Sequence, residues 1–136
     1  MRARQAWLKG GLVGLTALVL GAGLAERAPA REAADAAHSL PAVTLQSLPP
    51  EAQTTYKLIH EGGPFPYGKD GTVFLNRERL LPPHSRGYYR EYTVKTPRSK
   101  DRGPRRIICG GKPPTAPEAC YYTADHYASF SRITTP

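Results

Sequence analysis

Cysteine, tryptophan and methionine are nearly absent: the 136 residues hold two, one and one of them. Two cysteines exclude a multi-disulfide scaffold, and the scattered histidines His38, His60, His84 and His126 offer no zinc-type spacing. No glycine-rich phosphate loop and no internal repeat is present. Acidic residues are scarce, 11 against 19 basic, for a net charge of +8. Long apolar runs are missing too, except for one near the start. The length suits one small domain with an appendage and excludes a multidomain enzyme.

The appendage is N-terminal. "MRARQAWLK" carries three positive charges and no acid, "GGLVGLTALVLGAGLA" is apolar and small, and Gly23-Leu24-Ala25 has the small-x-small pattern that signal peptidases read. Residues 1–25 read as a secretory signal, with a retained membrane anchor as the competing reading. No cysteine stands near the cleavage site, which argues against a lipoprotein signal. "ERAPAREAADAAHSLPA" has no aromatic and almost no large aliphatic side chain, so it cannot offset its own ordering entropy. Residues 26–42 read as a disordered linker or pro-segment, and residues 43–136 as the folded domain. Without the leader the chain is about +5, a charge that suits polyanionic partners: RNA, DNA, anionic membrane or cell-wall polymer.

Within the domain, "SLPPEAQTTYKLIHEGG" opens on Pro at the first turn and Glu51 where the helix dipole favours an anion. Leu48, Ala52, Tyr56, Leu58 and Ile59 recur near helical spacing, and Gly62-Gly63 ends the pattern. "GPFPYGKDGTVF" reads as a loop entering a brief extended segment, and "LNRERLLPPHSRG" as irregular chain. From Tyr88 the text is strand-like: "YYREYTVKT", "RRIICGG", "YYTADHY" and "ASFSRI". The order predicts an α+β domain, one N-terminal helix packed on an antiparallel sheet.

Strand alternation puts Tyr89, Glu91 and Thr93 on one face and Arg90, Tyr92 and Val94 on the other. Likewise Ile107 and Cys109 oppose Arg106 and Ile108. Glu91, flanked by aromatics, is either a proton-transfer carboxylate or half of a cross-strand ion pair. Arg102, Arg105 and Arg106 form either a phosphate-binding fork or a solvated strand end. His126 is either an acid or a ring filling the sheet. Brought to one face, Glu91, Arg106 and His126 would supply a base, a cation and an acid, the groups that cleave RNA without a metal.

The blocks "LPPEA", "GPFPYGKDGTVFLNRE", "GYYREYTVKTP", "RGPRRIICGG" and "YYTADHYASFSRI" resemble, in order and spacing, the guanyl-specific secreted bacterial ribonucleases of the barnase, binase and Streptomyces type. The Streptomyces enzymes are the nearest in pattern, and the resemblance covers nearly all of residues 43–136. It implies the microbial ribonuclease fold and a metal- and cofactor-free endoribonuclease that cuts single-stranded RNA 3' to guanosine. The implied reaction is transphosphorylation to a 2',3'-cyclic phosphate, then hydrolysis. The resemblance makes Glu91 the base, Arg102 and Arg106 the phosphate ligands, and His126 the acid. In "FLNRE" it implies that the Glu78 carboxylate reads guanine N1-H and N2-H, while the backbones of Asn76 and Arg77 donate to O6. Adenine lacks that pattern, and such a pocket discriminates by about 10⁴. Phe74 and Tyr127 match the positions whose rings pack on the base.

The Streptomyces enzymes join their ends by a disulfide, but Thr44 stands at the first of those cysteine positions here. Cys109 and Cys120 flank an inserted "GGKPPTAPEA" loop; they are expected to form a disulfide, with a pair of free thiols as the alternative. The resemblance further implies a secreted monomer without stable membrane association after leader removal, and a cytoplasmic barstar-like inhibitor. The competing functional readings are an inactive RNA-binding relative and a ribonuclease toxin delivered into other cells.

Overall fold

The structure, a computed structural model, describes residues 40–136. The leader, and the linker up to residue 39, lie outside the described residues. Six strands appear in chain order: β1 Ala42–Thr44, β2 Thr72–Val73, β3 Tyr89–Thr93, β4 Arg106–Gly110, β5 Ala119–Thr123 and β6 Ser131–Thr134. Among the described residues there is one α-helix, α1, over Pro50–Glu61, after a single 3-10 turn at Leu45–Ser47.

Helix α1 begins and ends where its local chemistry dictates. Pro50 needs no backbone donor in the first turn, and Glu51 sits at the positive end of the dipole. Gly62 adopts φ 82°, and Gly63 N donates to Leu58 O at 3.0 Å, so the last carbonyls are satisfied as the chain turns away. The buried face is Ala52, Thr55 and Ile59, continued by Leu48 ahead of the helix. Thr55 was not anticipated there, and Leu58 lies only half-buried. The Thr55 hydroxyl is shared between Glu51 O at 3.0 Å and Thr93 O at 3.1 Å, so it ties α1 to β3 without leaving a buried polar group unpaired.

The sheet runs β1-β6-β5-β4-β3-β2. All pairs are antiparallel except β1 with β6, which is parallel and places Val43 beside Ile133. The helix on an antiparallel sheet is as expected, and the parallel edge pair is an addition to it. A three-residue strand has too little pattern to be read locally, and a contact between the two ends of the domain creates it. Alternation sorts the side chains as expected. Tyr92, Val94, Ile107, Cys109 and Cys120 pack under α1, while Tyr89, Ile108, Tyr121, Phe130 and Leu81 pack on the opposite face. Cys109 and Cys120 are register partners and form a disulfide, leaving no free thiol among the described residues.

One expectation fails at the end most relevant to function. "YYTADHY" is not strand throughout: β5 stops at Thr123, and His126 and Tyr127 sit in a turn with φ 54° and 70°. The loop between Thr123 and Ser131 thus re-aims two side chains that sheet alternation would have pointed to opposite faces.

Candidate active site

Glu91 lies mid-strand on the face away from α1, opposite Ile108 of β4. Each of its oxygens meets a donor. Arg102 Nη2 approaches Oε1 at 3.2 Å, and the Tyr127 hydroxyl donates to Oε2 at 2.7 Å. Arg102 comes from the loop before β4 and is oriented by its Nε bond to the Thr93 hydroxyl at 3.1 Å. Glu91 is thus ion-paired, with a loop arginine and not across strands, and it also lines an open cleft.

Arg106 is 2% exposed, unusual for a guanidinium. Its Nη1 donates to Gly103 O at 2.8 Å and Arg105 O at 2.7 Å, and its Nε to the Tyr127 hydroxyl at 3.2 Å. Among the described residues Nη2 has no hydrogen-bond partner, and Arg106 borders the second cleft together with Arg102 and His126. A buried, oriented cation beside open space is a site for an anion with several acceptor oxygens. Tyr127 is the hinge of the cluster. Burial raises its hydroxyl pKa, and the bond to Glu91 and that carboxylate's charge raise it further against Arg106, so the phenol stays protonated and donates.

His126 is exposed, and its ring bonds no protein group among the described residues; its backbone N–H donates to Pro104 O at 3.0 Å. The ring lines a cleft of about 510 Å³ with Arg102, Gly103 and Arg106. A neighbouring cleft of about 280 Å³ is walled by Phe74, Asn76, Glu78, Glu91 and Tyr127. The Glu91–Arg102 and Arg106–Tyr127 contacts link residues that line the two adjoining clefts, together termed the groove.

The smaller cleft suits a flat heterocycle. Phe74 and Tyr127 stack with centroids 5.3 Å apart at 23°. Its rim is the 74–81 loop, held by one side chain: Asn76 Nδ2 donates to Leu81 O at 2.9 Å, and Leu81 N donates to Asn76 Oδ1 at 3.1 Å. Asn76 has φ 51°, a conformation that asparagine tolerates better than most residues. With the side chain so committed, the backbone N–H groups of Asn76, Arg77 and Glu78 have no protein acceptor among the described residues. The Glu78 carboxylate is likewise exposed and unpaired there. The rim thus presents donors and an acceptor side by side.

All the sequence-predicted site residues fall on this groove. Sequence reasoning missed the residues behind them: Thr93, which orients Arg102, and Thr123 and Asp125, which bond across the His126 turn. The Thr-x-Asp spacing before a turn was a legible signal of side-chain-to-backbone bonding. Val73, Leu75 and Leu80 line the smaller cleft as exposed apolar residues, which no periodicity marks. His60 bonds Tyr56 O at 2.9 Å and His84 stacks on Tyr88 at 3.7 Å. Neither borders the groove. Among the described residues no three His, Cys, Asp or Glu side chains form a metal-ligating group.

A family model described as ribonuclease matches residues 30–134. The chain belongs to the ribonuclease family. Guanyl-specific ribonuclease Sa3 of Kitasatospora aureofaciens is 59% identical over 91 residues, 67% of this chain and 62% of that protein, so the match spans under two thirds of that relative. Guanyl-specific ribonuclease Sa of the same organism is 57% identical over 91 residues, covering 67% of this chain and 91% of the relative. Guanyl-specific ribonuclease St of Saccharopolyspora erythraea is 56% identical over 88 residues, 65% and 82% of the two chains. Among solved structures, ribonuclease Sa2 with guanosine-2'-cyclophosphate superposes with a TM-score of 0.65 at 45% identity, covering 71% of this chain and 98% of that one. This ribonuclease therefore shares the α+β architecture of the Sa2 enzyme, with one helix on a mostly antiparallel six-stranded sheet.

Proposed function

We propose that this ribonuclease cleaves single-stranded RNA 3' to guanosine without a metal ion. The observation that carries the proposal is the pair of adjoining clefts: the Glu91 carboxylate lines one whose rim offers free N–H groups and a free carboxylate, and a buried guanidinium and an unpaired imidazole line the other. Guanine matches that rim, with O6 as acceptor and N1-H and N2-H as donors to Glu78. The guanyl-specific relatives, and ribonuclease Sa2 with its guanosine cyclophosphate, support the same base choice.

In the first step Glu91 takes the 2'-OH proton, O2' attacks phosphorus, and the P–O5' bond breaks as His126 protonates the departing oxygen. The products are a 2',3'-cyclic phosphate and a free 5'-hydroxyl. Arg102 and Arg106 meet the charge that grows on the non-bridging oxygens. In the second step water replaces the leaving group: His126 accepts its proton, the P–O2' bond breaks, Glu91 returns a proton to O2', and a 3'-phosphate remains. Each proton-transfer group contributes roughly 10² to 10⁴ in rate.

Residues 1–25 export the chain in this reading. The enzyme works outside the cell as a monomer, and an acidic barstar-like inhibitor protects the maker by covering the basic groove. The test is RNA digestion by the protein in EDTA with sequencing of the cut ends. Cuts after guanosine with cyclic or 3'-phosphate ends are expected. A strict Mg²⁺ requirement, or random cut sites, would overturn the proposal.

A further inference from the structure

The turn that carries His126 and Tyr127 is built against local preference. Both residues have positive φ in succession, as in a type I' turn, whose usual occupants are Asn and Gly. Side chains with a Cβ and a ring avoid that region, so two together need restraint from outside their own backbone.

That restraint converges on one carboxylate. The Thr123 hydroxyl donates to Asp125 Oδ1 at 2.8 Å, Ser129 N donates to the same oxygen at 2.9 Å, and the Ser129 hydroxyl donates to Oδ2. Because the single proton of Thr123 is given to Asp125, its lone pairs are left to accept, and they take Tyr127 N at 3.2 Å. Thr123 is itself an anchor: it is 1% exposed, ends β5, and is the register partner of Arg106. Asp125 therefore clamps the chain on both sides of the turn to the strand end beside the phosphate-facing guanidinium. It borders neither cleft. The bonds from Ser129 and Thr123 hold its carboxyl below the usual carboxylate range, which suits a permanent acceptor.

We infer that Asp125 is a positioning residue of the reaction. Its carboxylate fixes the turn that presents His126 to the leaving oxygen and the Tyr127 hydroxyl to Glu91, and it does not touch substrate. The inference rests on the proposed roles of His126 and Glu91 and adds the group that sets their spacing. A displacement of about 1 Å in such a constellation can lower the rate about 100-fold. Asparagine keeps the Oδ1 acceptor for Thr123 and Ser129 N, so it preserves the clamp without the charge.

The experiment compares D125A, D125N and T123V with the natural enzyme on a guanylyl dinucleotide, at a temperature where circular dichroism shows each folded. D125A is expected to lose about 10- to 100-fold in kcat, with a much smaller change in KM, and D125N to recover most of it. T123V keeps the buried shape but removes the acceptor for Tyr127 N, so its kcat falls as well; it carries the test if D125A does not fold. Wild-type kcat in folded D125A or T123V would overturn the inference. So would a D125N as impaired as D125A, which would point to charge and not to geometry. H126A is assayed alongside: an active H126A sinks the acid assignment, whereas an inactive H126A with a fully active D125A sinks only the positioning role.

Discussion

Reducing the Cys109–Cys120 disulfide tests how the strands that carry the site are held. The bridge joins register partners on β4 and β5 at a sequence separation of 11, so it closes a short loop in the unfolded chain. In the chain-entropy relation, closing such a loop removes about 9.5 cal/mol/K from the unfolded ensemble, or about 3 kcal/mol at 25 °C. For a domain of roughly 95 residues, each kcal/mol moves Tm by about 4 to 8 °C, so reduction should lower Tm by roughly 12 to 24 °C. Activity below the new Tm should be unchanged. Arg106 and Thr123 form the register pair at the other end of the same two strands, and the intervening pairs Ile107–Tyr122 and Ile108–Tyr121 keep the ladder in place. The assay is urea and thermal unfolding with and without dithiothreitol, plus RNA cleavage per folded molecule. A Tm change below about 5 °C would refute the entropic reasoning. A loss of activity in the folded, reduced enzyme would refute the separation of staple from site.

Four further outcomes are expected. Tyr127→Phe removes the donor to Glu91 Oε2 and the acceptor for Arg106 Nε; urea denaturation should show a loss of about 1 to 3 kcal/mol, with reduced kcat. Asn76→Ala frees the 74–81 loop from the buried Leu81 backbone, so KM for a guanylyl substrate should rise more than kcat falls; an unchanged KM would contradict the loop's proposed role. Gly103→Ala would drive a Cβ into the Thr96 side chain at φ 65°, and should destabilise by about 1 to 3 kcal/mol and disturb the neighbouring Arg102. Burial, then the hydrogen bond and charge of Glu118, push the Tyr88 hydroxyl up to about 12. In the unfolded chain it ionises near 10. Its contribution is therefore complete below pH 10 and lost as pH rises from 10 toward 12, a slope that Tyr88→Phe should flatten in alkaline unfolding curves.

Legibility followed the range of the interactions. The boundaries of α1 were readable because Pro50, Glu51 and Gly62 act within one turn of themselves. The two faces of β3 and β4 were readable because the side-chain period of a strand is local. The parallel β1–β6 pair was not, since it joins residues about ninety positions apart and leaves no mark on either segment. Thr55 escaped the helical pattern because its burial depends on the Thr93 carbonyl of another element.

The sequence alone determined which chemical groups are available: Glu91, Arg102, Arg106 and His126 for the proposed reaction, Glu78 and the "FLNRE" backbone for the proposed base contacts, and the faces on which β3 and β4 set Glu91 and Arg106. Tertiary structure decided how they meet. The turn at His126–Tyr127 departs from strand alternation, and its shape is set by bonds to Thr123 and Asp125 and by the contact of His126 N with Pro104. The pairing of the Tyr127 hydroxyl with Glu91 likewise spans 36 positions and arises only when β3 and the last loop are folded side by side. Local pattern encodes propensity and face; a reactive distance is the sum of several long-range contacts, and no window of sequence contains them all.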